Sequence, residues 1–231
     1  GDVLNTFILK HKNINLFLYF LICSLLILSV CSTTSPLYPI HSWDDSNCFL
    51  TVGKGVLYGK VIYRDLYEQK GPVLYFLHTL ACLISENSFL GVYFFQILFG
   101  GVFLFISYKL LKLFCATDRI VFILPPLFAI LFTSHNYILG DSAEEFCFSL
   151  ILYPLFCSIA AILENRKFKK KELVLTGICA GCVLWIKYTM CFFFIGWAVI
   201  PVYYYIKNRY KSILSCILLV FAGVFISSIP V

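Results

Sequence analysis

His41-Ser-Trp-Asp-Asp-Ser-Asn-Cys-Phe49, running on to Tyr63-Arg-Asp-Leu-Tyr-Glu-Gln-Lys-Gly-Pro72, is the longest part of the chain that lipid could not accept. Acids, bases, Trp, Tyr and Gly lie together in it, while the sequence on either side is hydrocarbon-like over long runs. Of the 231 residues, 61% are hydrophobic and 13% charged, with a mean hydropathy of +0.90. Soluble domains average about 45–50% apolar and about 25% charged residues. The composition therefore indicates an integral membrane protein with no separate soluble domain. The counts of Phe (24) and Tyr (15) suit lipid-facing helices with aromatic belts at the interfaces.

Working outward, residues 14–31 form a first apolar run behind Lys10 and Lys12. It is long enough to span, and no clean small-residue cleavage site follows it, which argues against a signal peptide. Ser32-Thr-Thr-Ser-Pro36 and Pro39 break that helix and open the loop 32–72. Residues 46–58 read as a short helix on the membrane surface, and Gly53, Gly55 and Gly59 require it to be short or tightly packed. Pro72 suits the first turn of a helix, and 73–84 is apolar but too short to span. It reads as an interfacial helix, with a re-entrant segment as the alternative. Further spans fall at 88–111, at 120–134 with a kink or late start at Pro125-Pro126, at 146–163, 173–189 and 190–206, and from near 212. The expected fold is all-α: a polytopic membrane domain over 1–231 with about seven transmembrane helices and interfacial helices in a first outer loop, 32–87. The chain starts at Gly1 and stops in apolar sequence, so it reads as an N-terminal fragment.

The net charge of +6 does not point to nucleic acid, because the basic residues cluster between spans, as topology signals do. With the N-terminus in the cytoplasm, the inner segments carry Lys10, Lys12, Lys109, Lys112, Arg119, Arg166, Lys167, Lys169, Lys170, Lys171, Lys207, Arg209 and Lys211. The outer side keeps Lys54, Lys60, Arg64, Lys70 and Lys187. This arrangement puts the loop 32–72 and the turn 134–145 on one outer face of a cell membrane, where two acidic clusters remote in sequence can meet. Most of the 11 Cys lie in apolar runs and read as packing residues, the Cys179/Cys182 pair included.

Four groups could carry chemistry. Asp44 and Asp45 are either solvated loop acids or a general base for an acceptor hydroxyl; in an extended segment the two would point apart. Arg64, Asp65, Glu68 and Lys70 are either surface ion pairs or a patch that holds a phosphate, Arg by bidentate contact and Lys as a point charge. Asp141, Glu144 and Glu145 open the span at 146, where Asp141 or Ser142 could cap the helix; capping accounts poorly for two adjacent Glu at the lipid boundary. Lys187 either snorkels to the interface or binds a polyprenyl phosphate. His135 reads as a turn residue, and no HExxH, phosphate loop or Ser/His/Asp arrangement is present.

Trp43-Asp-Asp-Ser46, Phe49, Gly53, Gly59, Tyr63-Arg-Asp65 and Lys70-Gly-Pro72 together resemble the first outer loop of bacterial GT-C glycosyltransferases. The nearest in pattern are family 39-type enzymes related to protein O-mannosyltransferases and lipid A aminoarabinose transferases. Gly140-Asp-Ser-Ala-Glu-Glu145 resembles their second acidic motif, and Gly177 to Lys187 a later span that closes on a lysine. The resemblance implies a polyprenyl-phosphate sugar donor, inverting transfer on the outer face, and an aspartate of the first loop as base. Asp45 fits that aspartate best, with Asp44 the alternative. Arg64, Lys70 and Lys187 then serve the donor phosphate, and Glu144, Glu145 and Asp141 form the second acidic motif. Asp141 departs from the pattern, which has a small residue there. The acceptor would be lipid, wall polymer or protein of the cell envelope, with membrane lipid as the surrounding partner. The sequence demands no cofactor. Some relatives use a divalent metal, and two carboxylate clusters could bind one, without any ligand spacing that requires it. A transporter or flippase of a lipid-linked saccharide is the alternative activity, but the chain has no internal repeat and its polar residues gather at one face. A non-catalytic scaffold would need neither Asp45 nor the Glu pair.

Overall fold

The computed structural model describes residues 2–135, 137, 139–210 and 212–229, with side chains from residue 12 onward. The side chain of Lys10, and Lys211 altogether, lie outside the described residues. The described residues form nine α-helices and no strand: α1 Asp2–Cys31, α2 Asp44–Leu57, α3 Pro72–Ile84, α4 Leu90–Leu111, α5 Ile120–Phe132, α6 Ala143–Leu163, α7 Lys170–Ile186, α8 Phe192–Lys207 and α9 Ile213–Ser228. Among the described residues four stretches are long and apolar enough to cross a membrane: Lys12–Cys31, Leu90–Leu111, Ala143–Leu163, and Tyr188–Lys207, which adds a single 3-10 turn to the front of α8. The chain is an all-α membrane protein.

Contacts between helix ends fix the direction in which each helix runs. Lys109 Nζ donates to Asn13 Oδ1 at 2.6 Å, so the end of α4 lies beside the start of the apolar part of α1. Thr33 Oγ1 donates to the Leu139 carbonyl at 2.5 Å, so the end of α1 meets the segment that leads into α6. Tyr205 near the end of α8 accepts the Phe168 N–H at 3.0 Å, and Trp185 at the end of α7 donates to Ser228 at the end of α9 at 2.8 Å. Helices α1 and α4 to α9 therefore alternate in direction. One end of the bundle gathers Lys109, Lys112, Arg119 and the 166–171 cluster. The other carries α2, α3 and the acids at the start of α6.

Among the described residues three apolar clusters hold the bundle. Phe20, Leu28, Leu104, Leu124 and Phe128 join α1, α4 and α5. Phe49, Leu74, Tyr75, Phe146, Val183 and Ile186 seat α2 and α3 on α6 and α7. Cys157, Ala161, Leu173 and Tyr205 close the basic end. The short helix α3 is packed against α2, α4 and α7, with Leu74, Tyr75 and His78 buried. α5 runs unbroken through Pro125-Pro126 from Ile120. Pro125 has no N–H to offer the Val121 carbonyl, and that carbonyl instead takes the Tyr19 hydroxyl at 3.4 Å.

α7 and α9 approach through small residues. A Cβ on Gly177 would strike the Val220 carbonyl, and one on Gly223 the Val174 carbonyl. Gly177 and Gly181 are four apart on α7, as are Gly223 and Ser227 on α9, the small-xxx-small pattern that lets membrane helices pack backbone to backbone. Gly196 in α8, by contrast, faces open space. Gly177→Leu should cost about 1–3 kcal/mol by overpacking and lower the thermal midpoint in detergent by several degrees. Gly196→Ala should leave that midpoint unchanged or raise it. Equal midpoints for Gly177→Leu and wild type would rule out this close contact.

Candidate functional site

α2 begins at Asp44, two residues earlier than the sequence pattern suggests, with Trp43 as N-cap. Asp44 and Asp45 therefore sit in its first turn rather than in an extended segment, and the positive end of the helix dipole favours them there. The expectation that they point apart as in a strand is corrected accordingly; they diverge by the helical step instead. Asp44 is exposed and lines a cleft of about 430 Å³ with Glu68, Leu66 and Cys48. Asp45 lies 3.7 Å from Lys70 Nζ, its side chain 49% exposed against 21% for the lysine.

Each residue of Lys70-Gly-Pro72 has a separate task. Lys70 Nζ pairs with Asp45 and stands 5.7 Å from the centre of the Phe49 ring. Gly71 donates its N–H to the Ile186 carbonyl at 3.1 Å, and a Cβ there would run into the Trp185 carbonyl. Pro72 occupies the first turn of α3. The loop before them is braced by hydrogen bonds. Tyr63 OH donates to the Lys70 carbonyl at 2.6 Å, Lys70 N–H donates to Glu68 Oε2 at 2.9 Å, and Tyr75 OH donates to the same oxygen. Burial pushes the Glu68 carboxyl up, but the Tyr75 hydroxyl, the Gln69 and Lys70 N–H groups and the Lys70 charge outweigh it and hold Glu68 below the usual carboxylate range.

Lys187 follows directly on α7 and forms an ion pair with Glu144 in the first turn of α6. Because Gly71 abuts Trp185 and Ile186, the Asp45–Lys70 and Glu144–Lys187 pairs occupy the same end of the bundle. Two acidic groups about a hundred residues apart in sequence thus converge, each on its own lysine. Arg64 is arranged otherwise. Its guanidinium forks onto neighbouring Asp65 at 2.9 and 2.8 Å and is 70% exposed. The Arg64 bond, the Val61 N–H and the Lys60 charge keep the Asp65 carboxyl below its usual range. Among the described residues Arg64 forms no hydrogen bond or ion pair with Asp45, Lys70 or Lys187.

The rest of the second acidic motif turns inward. Ser142, not Asp141, caps α6, its hydroxyl accepting the Glu145 N–H at 3.3 Å. Asp141 follows Gly140, and both have positive φ, 63° and 75°. This turn aims the Asp141 carboxylate into the protein, where it is fully buried, takes the Ser46 hydroxyl, and lies 3.0 Å from His78 Nε2. His78 Nδ1 is 2.9 Å from the Leu74 carbonyl, which can only accept, so Nδ1 carries a hydrogen. The Asp141–Nε2 contact then requires one proton held between the two groups. Glu145 is buried as well: Gln96 Nε2 donates to Oε2 at 2.6 Å, while Oε1 has no partner among the described residues. Gln96 in turn accepts from Thr34 and, at 3.3 Å, from Ser32. Of the three acids, only Glu144 stands where a ligand could reach it.

Ser46, His78 and Gln96 were not legible as site-building residues. The one available signal was a polar side chain inside an apolar run, as at His78 and Gln96, which marks a group that must find a partner. A second cavity, about 590 Å³, lies between the 33–41 loop and Asn87–Leu90, and Asn47 borders both clefts. His41 lines it, bonded to Thr33 at 2.6 Å; burial lowers its pKa against the opposing pull of Asp141. Among the described residues no group of three or more His, Cys, Asp or Glu is placed to hold a metal ion.

No protein-family model matches the chain, and no curated protein or solved structure matches it either.

Removing one member of a buried ionic pair costs about 3–5 kcal/mol, because the other is left uncompensated. His78→Phe should therefore lower the thermal midpoint sharply. Adding Asp141→Asn, which removes the stranded charge, should recover part of the loss. Strictly additive losses in this double-mutant cycle would show that the two groups are not coupled.

Proposed function

We propose that the chain is a GT-C-type glycosyltransferase that moves a sugar from a polyprenyl-phosphate donor to an acceptor hydroxyl. On this reading the N-terminus is cytoplasmic and the reaction takes place on the outer face of the cell membrane. The observation that carries the reading is the convergence of Asp45–Lys70 and Glu144–Lys187 across the Gly71 N–H to Ile186 carbonyl bond, beside a cleft bordered by Asp44 and Glu68. A lipid-borne sugar phosphate presents its leaving group at the membrane surface. Lysines alternating with half-exposed carboxylates at one end of the bundle supply both charges that such a transfer needs.

In the proposed step the acceptor oxygen forms a bond to the anomeric carbon, and its proton passes to the Asp45 carboxylate. The bond from that carbon to the phosphate oxygen breaks, and the departing phosphate keeps the electron pair. Lys70 and Lys187 stabilise the charge that develops on it. Attack opposite the leaving group inverts the centre. Glu144 holds Lys187 in place. Asp141 and Glu145, both buried, act as positioning residues. Arg64, already held by Asp65 and largely exposed, contributes least to phosphate binding.

General-base catalysis is worth about 10²–10⁴ in rate. Asp45→Asn should lower sugar incorporation from a polyprenyl-phosphate donor by at least about 100-fold, while Asp44→Asn retains most of it. If the Asp45 variant transfers at the wild-type rate, the base assignment fails.

Two native cysteines test the orientation. Cys48, on α2, and Cys115, between α4 and α5, are both exposed and lie at opposite ends of the bundle. In intact cells a membrane-impermeant maleimide should modify Cys48 and reach Cys115 only after permeabilisation. The reverse pattern would put the proposed site on the cytoplasmic side and overturn the outward-facing reading.

A further inference from the structure

The far end of the bundle carries a different constellation. There the α6–α7 and α8–α9 connections meet. The Phe168 and Tyr205 rings stack with centres 5.8 Å apart, and Lys167 Nζ sits 5.0 Å from the centre of the Tyr210 ring. The two acids of this region, Glu164 and Glu172, are both taken by Arg166. Lys167, Lys169, Lys170, Lys171, Lys207 and Arg209 are exposed and form no ion pair among the described residues.

Against this cationic rim lies an apolar cavity of about 240 Å³ between α7, α8 and α9. Phe168, between Lys167 and Lys169, and Tyr205, two residues before Lys207, line its basic end, and Phe194, about three turns earlier on α8, lines the other. Ala180, Ala198 and Pro201 leave the space open, and no charged side chain lines it.

We propose that this cavity and its rim form a binding site for an anionic phospholipid. An acyl chain enters between α7, α8 and α9, and the headgroup phosphate rests on the lysines of the 167–171 segment. A free phosphate would leave the apolar cavity without an occupant, and a zwitterionic lipid would leave the cations uncompensated. Anionic lipid headgroups attract basic residues that border a membrane face, each such residue adding to the attraction. The site stands apart from the transferase reading: α6, 21 residues and about 31 Å long, separates the two ends.

Native mass spectrometry of the purified full chain in detergent, titrated with phosphatidylglycerol or phosphatidylcholine, tests the proposal. Wild type should retain phosphatidylglycerol at about tenfold lower lipid concentration than phosphatidylcholine. The combined Lys169→Gln, Lys170→Gln and Lys171→Gln variant should lose that preference, and Ala198→Phe, which fills the cavity, should weaken retention of both lipids. Glycerol phosphate, a headgroup without chains, should not compete. Equal retention of the two lipids by wild type would overturn the proposal, and so would competition by glycerol phosphate. Loss of a dimer on Ala198→Phe with lipid retention unchanged would overturn it in favour of a second copy of the chain. Should Ala198→Phe fail to fold, the surface lysine variant still decides.

Discussion

The closest approach that organises the acidic end is the backbone contact between Gly71 and the end of α7. Only a residue without a side chain can bring its N–H to the Ile186 carbonyl while passing the Trp185 carbonyl. That contact fixes the start of α3 against α7 and sets the lysine before it beside the one that follows Ile186. It also holds α2 over the start of α6, because α2 is packed on α3. Gly53 repeats the device one layer out: a Cβ there would strike the His78 backbone. Two glycines thus convert a polar loop, which would otherwise be solvated and mobile, into a lid with one defined position.

The cost of that lid is a set of polar groups taken out of water. Asp141, His78, Ser46, Glu145 and Gln96 are all buried. A buried polar group is tolerable when it is hydrogen-bonded, and far more costly when it is charged and alone. Asp141 meets this demand by taking two partners from different elements, Ser46 of α2 and His78 of α3. Each partner comes from the lid, so burying the carboxylate depends on the lid being seated. Geometry and electrostatics therefore reinforce each other: the glycines permit the approach, and the stranded charge penalises any departure from it.

Much of the architecture was legible because long apolar runs interrupted by charge leave few alternatives. The boundaries of α4 and α6 and the end of α1 fall close to the apolar runs of the sequence, and the glycines of α2 announced tight packing; α1 itself begins at Asp2, well ahead of the run at 14–31, because the residues before that run continue the helix. The fates of individual acids were not legible. Glu144 and Glu145 are neighbours, yet one helical step of about 100° turns the first toward Lys187 and the second toward Gln96. Asp141 reads as a helix cap until its positive φ turns the carboxylate inward, and nothing in Gly-Asp-Ser tells which of the two polar residues will cap. Asp44 and Asp45 read as loop residues because Trp43 and two acids are poor evidence for a helix start without a side-chain cap. In each case the deciding partner comes from a segment remote in sequence.

The two ends of the bundle also differ in how their charges relate to the helices that carry them. At the acidic end, Asp44, Asp45, Glu144 and Glu145 all lie in first turns, where the helix dipole favours them. At the basic end, Lys170 and Lys171 open α7, the place where the dipole disfavours cations by about 0.3–1 kcal/mol each. Glu172 offsets part of this by accepting the Lys169 N–H at 2.9 Å, but it is also engaged by Arg166. Helix stability therefore gives no reason for the lysines at the start of α7. Their place at the end of a membrane helix matches the topology bias of the sequence, and the headgroup layer there offers them a counter-charge that the bundle does not.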